Sequence, residues 1–147
     1  MTARNSNRNI CIGDVYTMRF NGSDSVQHGY RPAVVLQNNV GNTYSPNVIV
    51  LPMTSQLKKT SQPTHVVIPA KGTGLLRDSM VLCENPECVS KSRLETYITT
   101  LSDEYMSKIA EAHLLATSAI AFVDPSCLLV LWEKAISLNA MKTLHKS

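Results

Sequence analysis

Short apolar runs separated by segments rich in glycine, proline and asparagine constrain the fold of this chain most strongly. Five of them lie at residues 15–20, 32–37, 48–53, 65–68 and 79–83. In the first run Tyr16, Met18 and Phe20 alternate with Val15, Thr17 and Arg19, which is typical of a half-buried strand. Short strands at close spacing with Gly/Pro turns indicate a small barrel or curled sheet. We therefore predict a mainly β domain in which Pro32 opens the second strand.

The sequence pattern changes from strand-like to helix-like near Leu101. Ser102 is a good N-cap, the two acidic residues after it favour a helix N-terminus, and apolar residues then recur at helical spacing. We predict a helix over 103–120. A second helix is predicted after Asp124-Pro125, with one side formed by Leu128, Leu131, Trp132, Ala135 and Leu138.

The length of 147 residues suits one folded domain, and 44% apolar with 17% charged residues is typical of a globular protein. We divide the chain into a flexible tail (1–11), a core domain (12–120) and a helical extension (121–147), whose role the sequence leaves open. Four cysteines without a C-x-x-C motif indicate free thiols. The N-terminus has no apolar core of a signal peptide, and no apolar stretch is long enough to span a bilayer. These features predict a cytoplasmic protein.

The charge is unevenly distributed along the chain. The net charge is +3, of which residues 1–71 contribute seven Lys/Arg against two acids, or +5, and residues 72–147 contribute seven against nine, or −2. This asymmetry permits an anionic partner on the N-terminal half without requiring one.

Arg31 stands immediately before Pro32 at the start of a buried strand. A residue that precedes proline is restricted to an extended conformation, so this side chain leaves the strand in a defined direction. Its planar, permanently charged guanidinium matches phosphate oxygens. Judged by spacing alone, an ion pair with Asp14 or Asp24 is the simpler explanation of Arg31, and both interpretations stay open.

Polar residues directly follow the third strand, at Thr54 and Ser55. Hydroxyl and N–H groups at a strand end bind oxyanions, especially where a helical turn begins, although a turn cap is the simpler explanation. Lys58 and Lys59 in the same connection can neutralise a nucleic-acid backbone. His28, in the polar loop over 21–30, is a candidate proton carrier, and no two histidines are at metal-ligand spacing.

Several motifs together carry a family resemblance. The segments "GDVYTMRF", "RPAVVLQNNVGNTYSPNVIVLPMTSQLKK", "PTHVVIP" and "RDSMVLCE" follow one another in this order. Over roughly residues 12–120 the chain resembles the MazF/PemK family of toxin endoribonucleases. The resemblance implies a small SH3-like β-barrel of the CcdB/PemK type followed by helices, assembled as a homodimer and inhibited by a MazE-like antitoxin with an acidic tail.

The resemblance also implies a reaction and its residues. Arg31 and Thr54 take the positions that face each other across an RNA phosphate in the family. The implied reaction is sequence-specific, ribosome-independent and metal-independent cleavage of single-stranded RNA, in which the 2′-OH attacks the adjacent phosphate without a cofactor. The positions implied to contact RNA are Ser23, His28, Gly29, Gln37, Asn38, Ser55, Gln56, Lys58 and Asn85.

One segment departs from the family pattern. In "CENPECVSKSRL" the chain has Asn85, Pro86 and Glu87 where family members often have a glutamine and a basic residue. The sequence leaves open whether this difference alters the recognised RNA motif or weakens RNA binding. The alternatives are a non-catalytic, CcdB-like toxin that binds DNA gyrase and an interaction domain of the same fold without activity.

Overall fold

The structure is a computed structural model that describes residues 8–21 and 28–140. Its ten main elements follow the chain in this order: β1 Asp14–Asn21, β2 His28–Val35, α1 Asn39–Tyr44, β3 Asn47–Thr54, β4 His65–Ile68, β5 Ser79–Leu82, β6 Glu87–Ser90, β7 Leu94–Thr100, α2 Asp103–Thr117 and α3 Leu128–Asn139. The strands form one antiparallel sheet and two long helices follow it, which confirms the predicted mainly β domain with C-terminal helices.

Strand β3 organises the sheet. The strand order is β4-β5-β3-β2-β1-β7. On the edge of β3 that faces away from β2, the first half of β3 pairs with β6 and the second half of β3 pairs with β5. Apolar side chains alternate between two clusters. The first cluster contains Val15, Val34 and Leu51 and is covered by Ile109 of α2. The second cluster contains residues next to these on the same strands, such as Tyr16 and Val50. Because side chains alternate along a strand, the clusters lie on opposite faces of the sheet.

Pro32 lies in the middle of β2, so the prediction that it opens the strand is wrong. Strand β2 already pairs with β1 from His28 onward, with Pro32 opposite Thr17. Its pairing with β3, however, covers only Val35 to Ala33, where Ala33 lies opposite Pro52. Proline has no N–H to give to a ladder. The ladder between β2 and β3 therefore ends where Pro32 begins, and the two strands are free to separate beyond it.

Three further predictions about elements need correction. The segment "NNVGNTYSPN", predicted as a turn, contains α1, because the Asn38 side chain caps it by accepting a hydrogen bond from Gly41 N at 2.9 Å. Strands β6 and β7 were not predicted. Helix α2 ends at Thr117 rather than at 120, since Ser118 takes a left-handed conformation (φ 54°), and Ser102 makes no side-chain capping bond.

Buried Asp14 ties the N-terminal residues to the barrel. Its carboxylate accepts hydrogen bonds from Cys11 N (2.9 Å), Thr100 Oγ1 (2.7 Å) and Arg8 Nη2 (3.2 Å). The Arg8 guanidinium also lies 3.6 Å from the centre of the Tyr97 ring. We expected a flexible tail over residues 1–11, but residues 8–11 are held by this network, and residues 1–7 lie outside the described part of the chain.

The C-terminal extension packs only lightly on the barrel. Helix α3 forms where it was predicted, yet none of its residues is buried and several of its large apolar side chains are exposed. It meets α1 through Asn139, whose side-chain oxygen accepts from Asn39 N at 3.2 Å and whose carbonyl accepts from Asn39 Nδ2 at 3.3 Å. Among residues 8–21 and 28–140, no helix combines the length and apolar character needed to cross a membrane.

We predict that deletion of residues 121–147 leaves the barrel folded. Because α3 buries none of its residues and supplies two hydrogen bonds, we expect the free energy of unfolding to fall by at most about 3 kcal/mol. Urea denaturation followed by circular dichroism measures this change. Ile109→Ala, a substitution in the core, is the positive control and should cost roughly 2–5 kcal/mol. A truncated chain without a cooperative transition would contradict the prediction.

The four free cysteines should divide into two reactive and two protected thiols. Cys88 and Cys127 are exposed, whereas Cys11 and Cys83 are buried. Burial, with a smaller contribution from Glu84, raises the pKa of Cys83 to about 12, so this thiol stays protonated near neutral pH. We expect Ellman's reagent at pH 8 to modify two thiols in the native protein and four after denaturation. Cys88→Ser should remove one of the two fast reactions; rapid native modification of Cys83 would contradict the structure.

Candidate active site

A cleft of about 430 Å³ opens where β2 and β3 separate. Its polar lining consists of Thr17, Arg31, Thr54, Ser55, Gln56, Arg77 and Ser79. Its apolar lining consists of Tyr30, Pro32, Met53, Leu75, Leu76 and Ile98. The cleft thus combines apolar side chains with two arginines and several hydroxyl groups, a combination that suits a nucleotide with an anionic phosphate and a flat base.

The register of β2 and β3 brings Arg31 and Thr54 to the same cleft. The paired residues are Val35 with Val50, Val34 with Leu51 and Ala33 with Pro52. Continued by two residues beyond the pair of Ala33 and Pro52, this register sets Arg31 opposite Thr54, and both residues line the cleft. Since residues opposite each other point to the same face of a sheet, the guanidinium and the hydroxyl start from the same side.

A hydrogen bond of Thr54 orients its hydroxyl group. Thr54 Oγ1 accepts a hydrogen bond from Gln56 N at 3.1 Å. This bond joins the Thr54 side chain to the backbone of Gln56 and closes a local turn. We had considered a short helical turn in this connection. The bond occupies one acceptor position of the oxygen, so the hydroxyl hydrogen is available to donate to a group in the cleft.

The charge of the cleft favours an anion. Two arginines, Arg31 and Arg77, line it, and no Asp or Glu is among the described lining residues. We had considered Asp14 as an ion-pair partner for Arg31, but Asp14 binds Arg8. Arg31 is paired with Met18, and Asp14 lies four residues from Met18 along β1. That separation is roughly 13 Å at ~3.3 Å per residue. Asp24, the other acid that we had considered, lies outside the described residues.

The residues predicted to contact RNA divide into distinct groups. Ser55 and Gln56 line the cleft with Arg31 and Thr54. Lys58 and Asn85 are exposed but do not line it. His28 and Gly29 belong to β2 close to Arg31, and Ser23 lies outside the described residues.

Gln37 and Asn38 lie elsewhere. They line a second cavity, of about 470 Å³, which α2 and α3 also border. Gln37 Nε2 donates to Asn47 O at 3.0 Å, and Asn38 caps α1. In this structure both amides hold the segment between β2 and β3, and neither reaches the cleft that contains Arg31.

Several cleft residues were not among the predicted site positions, and Tyr30, Leu76 and Arg77 are three of them. The sequence contains a signal for two of these three. Tyr30 directly precedes Arg31, and Arg77 begins the R-D-S motif that contributed to the family resemblance. Neither signal reveals that these residues, from two distant segments, share one cleft.

The described histidine side chains are engaged in the scaffold. His65 Nε2 lies 2.7 Å from Glu84 Oε2, and His113 Nδ1 lies 3.1 Å from the carbonyl oxygen of Cys83. Neither residue lines the cleft. Within the part of the chain that the structure describes, no three His, Cys, Asp or Glu residues are grouped so that they could hold a metal ion.

Comparison with known proteins places this chain in a family. Residues 12–115 match the family model of PemK-like, MazF-like toxins of type II toxin–antitoxin systems. The chain is 43% identical to the endoribonuclease EndoA of Bacillus subtilis (strain 168) over 113 residues, which cover 75% of this chain and 96% of EndoA.

Solved structures share the fold. MazF (Form-I) from Deinococcus radiodurans matches with a TM-score of 0.64 and 20% identity, covering 76% of this chain and 98% of MazF. A mycobacterial endoribonuclease in complex with its cognate antitoxin matches with a TM-score of 0.62 and 22% identity, covering 79% and 99%. Residues 116–147, which include the extension, lie beyond the matched family segment. The chain therefore belongs to the PemK-like, MazF-like toxins of type II toxin–antitoxin systems.

Proposed function

We propose that this toxin cleaves single-stranded RNA by transesterification in the cleft between β2 and β3. The observation that carries the proposal is the joint placement of Arg31 and Thr54 just beyond the point where β2 and β3 stop pairing, in a cationic cleft. In the proposed reaction the ribose 2′-oxygen attacks the adjacent phosphorus and the bond from phosphorus to the 5′-oxygen breaks. The products are a 2′,3′-cyclic phosphate and a 5′-OH end.

Arg31 and Thr54 have different roles in this reaction. The guanidinium donates hydrogen bonds to the non-bridging oxygens, on which negative charge accumulates in the transition state. It does not act as a base, because a guanidinium remains protonated in proteins. The Thr54 hydroxyl, oriented by Gln56 N, donates to a phosphate oxygen and fixes its position. Ser55 and Gln56 extend this polar side of the cleft.

Proton transfer requires a further group. The described side chains of the cleft include no imidazole and no carboxylate. His28 is three residues before Arg31 on the same strand, and it is our candidate for the group that accepts the 2′-OH proton or returns one to the 5′-oxygen. The reaction needs a 2′-OH, so DNA can bind in the cleft but not be cut.

The proposed partners follow from the family and from the surface. A MazE-like antitoxin with an acidic segment would compete with RNA for the cleft with its two arginines. A homodimer would cover part of the large apolar surface of the extension, where Phe122, Leu129 and Trp132 are 92%, 63% and 62% exposed. We place this reaction and both partners in the cytoplasm.

Substitutions at Arg31 and Thr54 test the proposal. On a long single-stranded RNA in excess EDTA, we expect the wild-type protein to make discrete cuts. Arg31→Ala should lower kcat by roughly 10²–10³ because the developing charge loses its donor. Thr54→Val should lower it by roughly 10–100-fold, and Thr54→Ser should retain most activity since the hydroxyl remains. A time course of fragment formation on a sequencing gel measures the rates, and mapping of the fragment ends identifies the cut sites.

Controls separate chemistry from folding. Lys108→Ala, at an exposed position on α2, should leave the rate unchanged, and thermal denaturation should show that the Arg31 and Thr54 variants remain folded. Loss of activity in His28→Gln would support its proton-transfer role, and full activity would remove it from the mechanism. Full activity in Arg31→Ala would contradict the proposed reaction. No cuts by a folded wild-type dimer would favour a toxin that acts by binding.

A further inference from the structure

Two large apolar side chains are exposed within the cleft itself. Tyr30 is 59% exposed and Leu76 is 93% exposed, and both line the cleft that contains Arg31 and Thr54. Single exposed apolar residues are ordinary on protein surfaces. These two are different because they come from distant segments, β2 and the loop before β5, and border one cleft with a cationic side. A ligand with an apolar face next to an anionic group would cover them.

The scaffold holds Leu76 in a defined place. The neighbouring Leu75 is buried in the core under the sheet. Gly74 has φ +84°, and a Cβ atom there would lie 2.6 Å from Thr99 Oγ1, so the loop packs tightly against β7. At the other end of the loop Asp78 Oδ1 accepts a hydrogen bond from Ala70 N at 2.7 Å. Leu76 is thus presented to solvent by a loop that is fixed at both ends.

The strand geometry separates Tyr30 from Arg31 in a way that suits a nucleotide. Tyr30 is paired with Arg19 and Arg31 with Met18, both within the regular ladder between β1 and β2. Successive side chains on a strand point to opposite faces, so the ring and the guanidinium leave β2 on opposite sides. A nucleotide beside the part of β2 that does not pair with β3 can therefore place its base on the Tyr30 side and a neighbouring phosphate on the Arg31 side.

We propose that Tyr30 and Leu76 form a platform that holds one unpaired base beside the scissile phosphate. Tyr30 contributes a ring face for stacking, and Leu76 contributes an apolar contact. The inference rests on the proposed function and adds two specificity-determining residues to it. Because every base has a π-face, a stacking platform selects for an unpaired nucleotide rather than for one particular base. The structure thereby supplies a reason for a single-stranded substrate.

The test uses a short single-stranded RNA that carries the cut site mapped on a long transcript. Tyr30→Ala should lower kcat/KM by roughly 5–100-fold, mainly through KM, and Tyr30→Phe should restore it because the ring remains. Leu76→Ala should lower kcat/KM less than Tyr30→Ala. The matched controls are Tyr44→Ala on α1 and Leu115→Ala on α2, which are exposed to 76% and 63% outside the cleft and should leave kcat/KM unchanged.

An abasic substrate gives the decisive comparison. We expect that removal of one base next to the cut site slows the wild-type protein and eliminates the difference between wild type and Tyr30→Ala. The proposed platform is wrong if Tyr30→Ala cuts as fast as wild type, or if its lower kcat/KM persists with every abasic substrate. Neither result would contradict the cleavage reaction. If the wild-type protein cuts no RNA, the proposed function itself fails. Thermal denaturation of each variant confirms that it is folded.

Discussion

The interrupted ladder between β2 and β3 is the constraint on which the rest of the site depends. As long as the strands pair, their side chains pack into the two clusters and no ligand can enter. Pro32 adds no N–H to the ladder, and beyond it the strands separate into a cleft. The same register that packs Val34 against Leu51 also brings Arg31 and Thr54 to that cleft. The pairing of β2 with β3, which ends at Pro32, thus determines both where the cleft opens and how Arg31 and Thr54 are aligned in it.

Rigidity around the cleft has identifiable sources. Thr54 is the last residue of β3 and pairs with Met80 of β5, so its position is determined from the side opposite to β2. The loop that carries Leu76 and Arg77 is held by buried Leu75 and by the close approach of Gly74 to Thr99. Donors held in place before the reaction need no reorganisation when charge develops, which is the condition for electrostatic catalysis.

Much of this fold is predictable from local sequence, and the parts that are not have physical reasons. The alternation from Val15 to Phe20 and the acidic start of α2 are local signals, and both elements form. The four-residue β6 exists because it pairs with β3, a contact that its sequence does not encode locally. Pro32 was misplaced because β1 alone pairs with the residues before it. Likewise Gln37 and Asn38 are polar residues after a strand, but Gln37 donates to Asn47 O at the start of β3 and Asn38 caps α1.

The 2′-OH of the substrate is the proposed nucleophile in this cleft. The most direct measurement compares an all-RNA oligonucleotide with one that carries a single 2′-deoxynucleotide on the 5′ side of the scissile bond, both in EDTA. We predict that the first is cut to a 2′,3′-cyclic phosphate and a 5′-OH end, and that the second binds as an inhibitor but stays intact. Cleavage of the deoxy-substituted bond, or fragments with 5′-phosphate ends, would contradict this prediction.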